Sequence, residues 1–141
     1  MIDLDPDPRP IHVAIREALD VGVARRRVRA LGQAVLLSDI AIEALVTAVS
    51  EIASNIVVHA RRGELVVGLV RAGARRGINV VARDDGPGIP DIERAMQDGY
   101  TTANGLGLGL SSARRLVDDF ELISGRGTDA GTTITMKQWL P

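Results

Sequence analysis

The chain contains no cysteine. That removes disulfides, thiolate metal sites and a cysteine nucleophile. Aromatics are scarce: Tyr100, Phe120 and Trp139 are the full set among 141 residues. Recognition of nucleic acid by base stacking therefore has almost no side chains to use. Charge offers no other route, because a formal net charge of −1 creates no global basic field. Lysine is nearly missing: of seventeen basic residues, sixteen are Arg and one is Lys137. A phosphate loop of the GxxxxGK[ST] type needs a Lys beside its glycines, and none stands there. The HRD and DFG signatures of eukaryotic-type protein kinases are absent. His12 and His59 are too few for a multi-histidine metal site. No apolar run is read as reaching membrane-spanning length, and the acidic start MIDLDPDP is not a signal peptide. The expectation is a cytoplasmic protein with neither nucleic acid nor membrane as partner.

What is present points to one domain over residues 1–141, with a core of Val, Leu, Ile and Ala. Residues 1–10, rich in Pro and Asp, are expected to fray. IHVAI (11–15) reads as a strand. Val21, Ala24, Val28, Leu31 and Val35 recur at steps of three and four, which predicts an amphipathic helix. Arg25, Arg26 and Arg29 mark its other face, either solvated or turned to an acidic partner. Residues 38–60 form the strongest helical pattern, with Ser38 as N-cap and a stripe of Ile42, Leu45, Val49, Ile52 and Ile56. The Arg61-Arg62-Gly63 run ends it. ELVVGLVRAG and RGINVVARD are β-branched runs bounded by glycine, predicting two adjacent strands. A later helix turns Leu110, Ala113, Leu116 and Val117 inward. FELIS (120–124) and TTITMKQW (132–139) close the chain as strands. The predicted fold class is α+β, a two-layer α/β sandwich: a mixed, mostly antiparallel sheet with helices on one face.

Certain polar residues interrupt these patterns. Glu51 and Asn55 are four apart on the long helix, which puts their Cβ atoms about 5–6 Å apart on one face. A Glu there can act as general base, and an Asn oxygen suits a hard cation such as Mg²⁺. Ordinary helix-edge polarity gives the same pattern. Asp84 shares a strand face with Ile78, Val80 and Ala82, so it points toward the core and needs a hydrogen-bond partner. A purine amino group would supply one. Thr132 is likewise the polar end of the face carrying Ile134 and Met136. Strand-end polarity is the plainer account of both. Two glycine clusters follow Asp84. Gly86 and Gly88, around Pro87 and before Ile89, let backbone approach a ligand closely, or simply turn the chain. Gly105, Leu106, Gly107, Leu108, Gly109 and Leu110 lead into a helix, where free amides favour phosphate oxygens. No Arg or Lys lies between Arg94 and Arg114, so phosphates there would depend on amides and a metal ion.

Taken together, ExxxN on a helix, DxGPGI after a strand, GLGLGL before a helix and a late GT resemble the nucleotide-binding elements of the GHKL ATP-binding superfamily. The runs GPGIPDIERAMQDGYTTANGLGLGL and GTTITMKQWLP are similar to the small bacterial serine/threonine kinases of anti-sigma regulation, of the RsbT switch type found in stressosome modules. That similarity covers nearly the whole chain. It implies the Bergerat form of the sandwich with a short ATP lid. It implies ATP and Mg²⁺ as cofactors, the metal on Asn55, and Glu51 as base toward an incoming hydroxyl. Asp84 would receive the adenine amino group, with Thr132 beside it. Gly86, Gly88 and Ile89 would pass under the base, and residues 105–110 would wrap the phosphates. The implied substrates are STAS-domain proteins, antagonist and scaffold. After phosphorylating them, such a kinase binds and activates a PP2C-type phosphatase. The alternative is an anti-sigma factor kinase, or an ATP-controlled switch that sequesters a sigma factor. Asp85, a second acid, is expected to point away from the core face and to oppose nucleotide slightly.

Overall fold

A computed structural model of the chain describes residues 9–60, 62–86, 109–124 and 131–141. In chain order the elements are β1 (Ile11–Ile15), α1 (Ala18–Ala34), α2 (Asp39–Asn55), a π turn (Ile56–Ala60), β2 (Gly63–Ala72), β3 (Arg75–Asp84), α3 (Leu110–Leu116), β4 (Asp119–Ser124) and β5 (Thr132–Trp139). Each strand or helix expected from the sequence is present, but the helix expected over 38–60 is α-helical only to Asn55 and finishes as the π turn.

The strands form one sheet in the order β1-β2-β3-β5-β4, and all four pairings are antiparallel. Its period of two buries Val13, Ile15, Leu65, Val67, Ile78, Val80, Ala82, Ile134 and Met136 on the face that meets the helices. From the other side, α1 contributes Ala24, Val28 and Leu31. α2 contributes Ile42, Leu45, Val46, Val49, Ile52 and Ala53. One contiguous core results. Asp39–Ala60 does have the length and composition of a membrane span, which corrects the reading that no such run exists. Here its apolar stripe lies against the sheet.

The ends of the helices are set by local chemistry. Ser38 Oγ accepts from Ala41 N at 3.1 Å, as expected of an N-cap. Glu17 and Asp20 form a reciprocal capping box on α1. Arg29 is not left for a partner: its guanidinium forks onto the Glu43 carboxylate at 3.1 and 3.0 Å and ties α1 to α2. Gln138, buried at the far end of β5, donates to the Ala41 carbonyl at 3.2 Å and accepts from Asp118 N at 2.9 Å. It links the sheet to α2 and to the chain just after α3.

The α1–α2 corner carries one strained residue. Leu36 has φ of 64° and is 83% exposed, with Leu37 N bonded back to the Gly32 carbonyl at 3.0 Å. This is the left-handed helix stop that glycine ordinarily fills. A Leu there meets the Cβ–carbonyl clash, worth about 1–2 kcal/mol, without compensating burial. Leu36→Gly is therefore expected to stabilise the protein by about 0.5–1 kcal/mol after the added chain entropy of glycine is counted. Thermal unfolding checks this, with an expected rise of about 2–4 °C.

Candidate active site

At one end of the sheet a single register rung joins Gly63 on β2, Asp84 on β3, Thr132 on β5 and Ser124 on β4, with Ile15 of β1 beyond Gly63. All four positions lie on the helix-facing side. The rung is thus a gap, a carboxylate and two hydroxyls. Thr132 is 8% exposed. Asp84 is half-buried, and burial raises its carboxyl above the usual carboxylate range. The backbone N–H groups of Gly86 and Thr132 oppose that rise, and the neighbouring Asp85 charge adds to it. Gly86 N donates to Asp84 Oδ1 at 2.9 Å. Asp85 itself is exposed, as expected.

The C-terminal end of α2 closes over this rung. A Cβ on Gly63 would lie 3.0 Å from Ile56 Cγ2 and 3.1 Å from Asp84 Cβ. One on Gly86 would lie 2.8 Å from Ala60 Cβ. Ile56 and Ala60 bound the π turn that begins directly after Asn55. Asn55 therefore stands at the same end of the molecule as Asp84. Its Nδ2 is buried without a hydrogen-bond partner. One turn before it, Glu51 meets α3. A Cβ on Gly109, the residue before that helix, would lie 2.7 Å from Glu51 Cβ and collide with its Oε2. The second glycine cluster thus ends directly on the Glu51 carboxylate.

The sequence that carries this carboxylate, amide and inward acid matches a family model. The model, described as the histidine kinase-like ATPase domain, covers residues 13–138. The chain belongs to the histidine kinase-like ATPase family. Within the family it is 37% identical over 128 residues to the serine/threonine-protein kinase RsbT of Bacillus subtilis, covering 91% of this chain and 95% of RsbT. It is 34% identical over 101 residues to an anti-sigma F factor of Heyndrickxia coagulans, covering 67% of each. An anti-sigma F factor of Caldanaerobacter subterraneus is 32% identical over 98 residues, again 67% of each. The catalytic domain of histidine kinase ThkA superposes with a TM-score of 0.56 over 92% of this chain and 98% of that domain, at 14% identity, and supports the fold.

Of the residues singled out in the sequence of this family member, Glu51, Asn55, Asp84, Gly86, Gly109, Leu110 and Thr132 are described. The structure gathers them along α2, the rung and the start of α3, with Leu110 fully buried under that start. Gly88, Ile89, Gly105, Leu106, Gly107 and Leu108 lie outside the described residues. So does Arg61. His59, expected in a cap or core role, sits in the π turn, and burial lowers its pKa.

Two contacts leave no mark in the sequence. The fit of Gly109 on Glu51 is one; the other is Ser124, whose Oγ lies 3.4 Å from both Thr132 Oγ1 and the Gly131 carbonyl. A glycine inside a cluster and a serine at a strand end carry no signal of their own until the register aligns them. The first contact is testable. Gly109→Ala is expected to displace the Glu51 carboxylate, destabilise the fold by about 1–3 kcal/mol through overpacking, and depress any reaction that uses Glu51. Thermal melts paired with activity measurements check it. Gly109→Ser should behave likewise.

Proposed function

We propose that this chain is an ATP-dependent protein serine/threonine kinase of a bacterial partner-switching pathway. The observation that carries the reading is the joining of Glu51, Asn55 and Asp84 at one end of the fold. Family membership supplies the ATPase frame, and the similarity to RsbT supports the protein substrate class.

In this reading the Asp84 carboxylate accepts a hydrogen bond from the purine amino group, with Thr132 beside it. Gly86 and Gly88, with Ile89, carry backbone past the base, and residues 105–110 lie along the phosphates. Asn55 would hold Mg²⁺ through its side-chain oxygen; its buried Nδ2 without a partner is a donor that suits a phosphate oxygen rather than the metal, and the described residues contain no cluster of three or more acidic or histidine ligands. Mg²⁺ ordinarily needs only one or two protein oxygens when phosphates and water complete its shell. Bound there, it would neutralise phosphate charge that no Arg or Lys of residues 95–113 can reach.

The reaction follows from these positions. The substrate hydroxyl oxygen forms a bond to the γ-phosphorus while the bond from that phosphorus to the β,γ-bridging oxygen breaks. ADP leaves, and the hydroxyl proton passes to the Glu51 carboxylate. The substrate is a Ser or Thr of a STAS-domain protein, antagonist or scaffold, and the released kinase binds and activates a PP2C-type phosphatase in the cytoplasm. A second reading rests on the similarity to anti-sigma F factors: ATP stabilises a surface that sequesters a sigma factor, with phosphoryl transfer incidental.

Labelled ATP, Mg²⁺ and candidate STAS proteins decide between them. Stoichiometric label on a Ser or Thr of one STAS protein, with phosphatase activation after release, is the expected result. Tight ATP-dependent sigma-factor binding without transfer to any STAS protein would establish the second reading instead.

A further inference from the structure

Resting on the kinase reading above, we infer that Gln138 is a positioning residue for Glu51: it sets where α3 sits along α2, and α3 carries that setting to the carboxylate through Gly109. On the helix-facing side of β5, Gln138 follows Ile134 and Met136 and is 4% exposed. An amide so deeply buried costs free energy unless its polar atoms are paired. Here they are. Nε2 donates to the Ala41 carbonyl at 3.2 Å and, more weakly, to the Leu116 carbonyl at 3.4 Å. Oε1 accepts from Asp118 N at 2.9 Å. Turning the amide over would set its oxygen against two carbonyls, so the partners fix its orientation.

These partners belong to the start of α2 and the end of α3. α3 is seven residues long, about 10 Å, and so short a helix takes its place from packing rather than from its own stability. No glycine stops it. The chain leaves through Val117 in extended backbone, with φ of −114°, and Gln138 takes up the Leu116 carbonyl. The exit is also fastened to β5, by Asp118 N on the Lys137 carbonyl at 3.1 Å and Trp139 N on Asp118 Oδ2 at 2.7 Å. Of these contacts, only that of Gln138 with Ala41 reaches α2. At its other end α3 begins at Gly109, which has no room for a Cβ beside Glu51. The helix thus runs antiparallel to α2, with Leu110 and Ala113 buried between its two fixed ends. A helix of two turns passes a shift at one end to the other. A displacement of about 1 Å at a reacting group costs on the order of 100-fold in rate.

A double-variant cycle on the full chain tests this. Gln138→Met keeps the length of the side chain and removes its hydrogen bonds. Once released, α3 can give way to the methyl group added by Gly109→Ala. The fall in melting temperature of the double variant should therefore be about 2–4 °C smaller than the sum of the two single falls, whereas residues at opposite ends of a helix otherwise act independently. Single-turnover transfer to the STAS protein that wild type labels should slow by about 10- to 100-fold in Gln138→Met, and by less than about twofold where Glu51→Gln is already present. Gln138→Glu still accepts from Asp118 N but loses both donor bonds; it should give the same pattern and serves if the Met variant folds poorly. Additive falls in melting temperature, or the same fold-loss of transfer with and without Glu51, would assign Gln138 a purely structural part and overturn the inference. Non-additive melting in a protein that labels no STAS protein even as wild type would instead overturn the kinase reading, leaving the link from Gln138 to Gly109 in place.

Discussion

Glu51→Gln is expected to slow phosphoryl transfer to the protein substrate by about 100- to 10,000-fold, the span that a positioned general base contributes. ATP affinity should stay within about twofold, because Gln keeps the volume and the packing against Gly109. The two readouts separate three roles for this carboxylate. A base lost without a change in binding gives slow transfer and normal affinity. A purely structural Glu51 would give reduced affinity and a lowered melting temperature together. An unaltered transfer rate in single-turnover assays would remove Glu51 from the reaction and leave positioning to account for the whole of it. Gly109→Ala approaches the same carboxylate from outside: it leaves the carboxyl chemistry intact and moves where it sits, with the loss of fold stability given above.

The other large effect is expected at Asp84. Asp84→Asn should weaken ATP binding by about 10- to 150-fold, the range for a hydrogen bond to a charged acceptor. The reason is a count of acceptors. The Gly86 and Thr132 N–H groups already converge on this carboxylate, and the base amino group would be a third donor. Two carboxylate oxygens accept all three, whereas Asn offers one oxygen and turns an NH₂ toward donors. The same substitution should stabilise the nucleotide-free protein near neutral pH. Burial lifts the folded pKa of Asp84 above its unfolded value. The contribution of this group to stability is therefore complete below the unfolded pKa and is lost as pH rises through the folded one. At neutral pH the ionised, half-buried carboxylate is a net cost that Asn lacks. Melting temperatures of variant and wild type should differ most at neutral pH and converge in acid. ATP affinity of the wild type should fall on acidification from a higher pH than an ordinary Asp would give, since the protonated acid is a poorer acceptor. A variant with unchanged ATP affinity would show that the base does not lie on this rung.

Much of this arrangement is legible in the chain itself. The alternation in INVVARD and TTITMKQW places Asp84 and Thr132 on the core face, and burial of Ile78, Val80, Ala82, Ile134 and Met136 bears that out. The steps of three and four through 42–56 mark α2, and Ser38 marks its start. Periodicity reports which face a residue occupies, but it is silent on which strands become neighbours. The order β3-β5-β4 depends on a crossover, and without it Thr132 could not be set beside Asp84. Close approach is equally invisible. The contact of Gly109 with Glu51 joins residues far apart in the chain and leaves only one glycine among three as its trace. Arg29 belongs by periodicity to an outward basic face, yet helix–helix packing brings Glu43 within reach of it. Charge on a helix face says nothing about the acids carried by the next helix.

The π turn after Asn55 also limits how the chain can vary in length. A π turn accommodates one residue more than an α-helix would use over a comparable span. Deleting Val58, whose side chain is mostly exposed, would let the segment rewind as α-helix and rotate the downstream backbone by about 100°. The pairings of β2 with β1 and β3 prevent the sheet from turning with it. The mismatch would fall on Ala60, which would swing off Gly86 and open the seam behind Asp84. A solvent-facing valine is thus a spacer whose value lies in being counted rather than in what it touches.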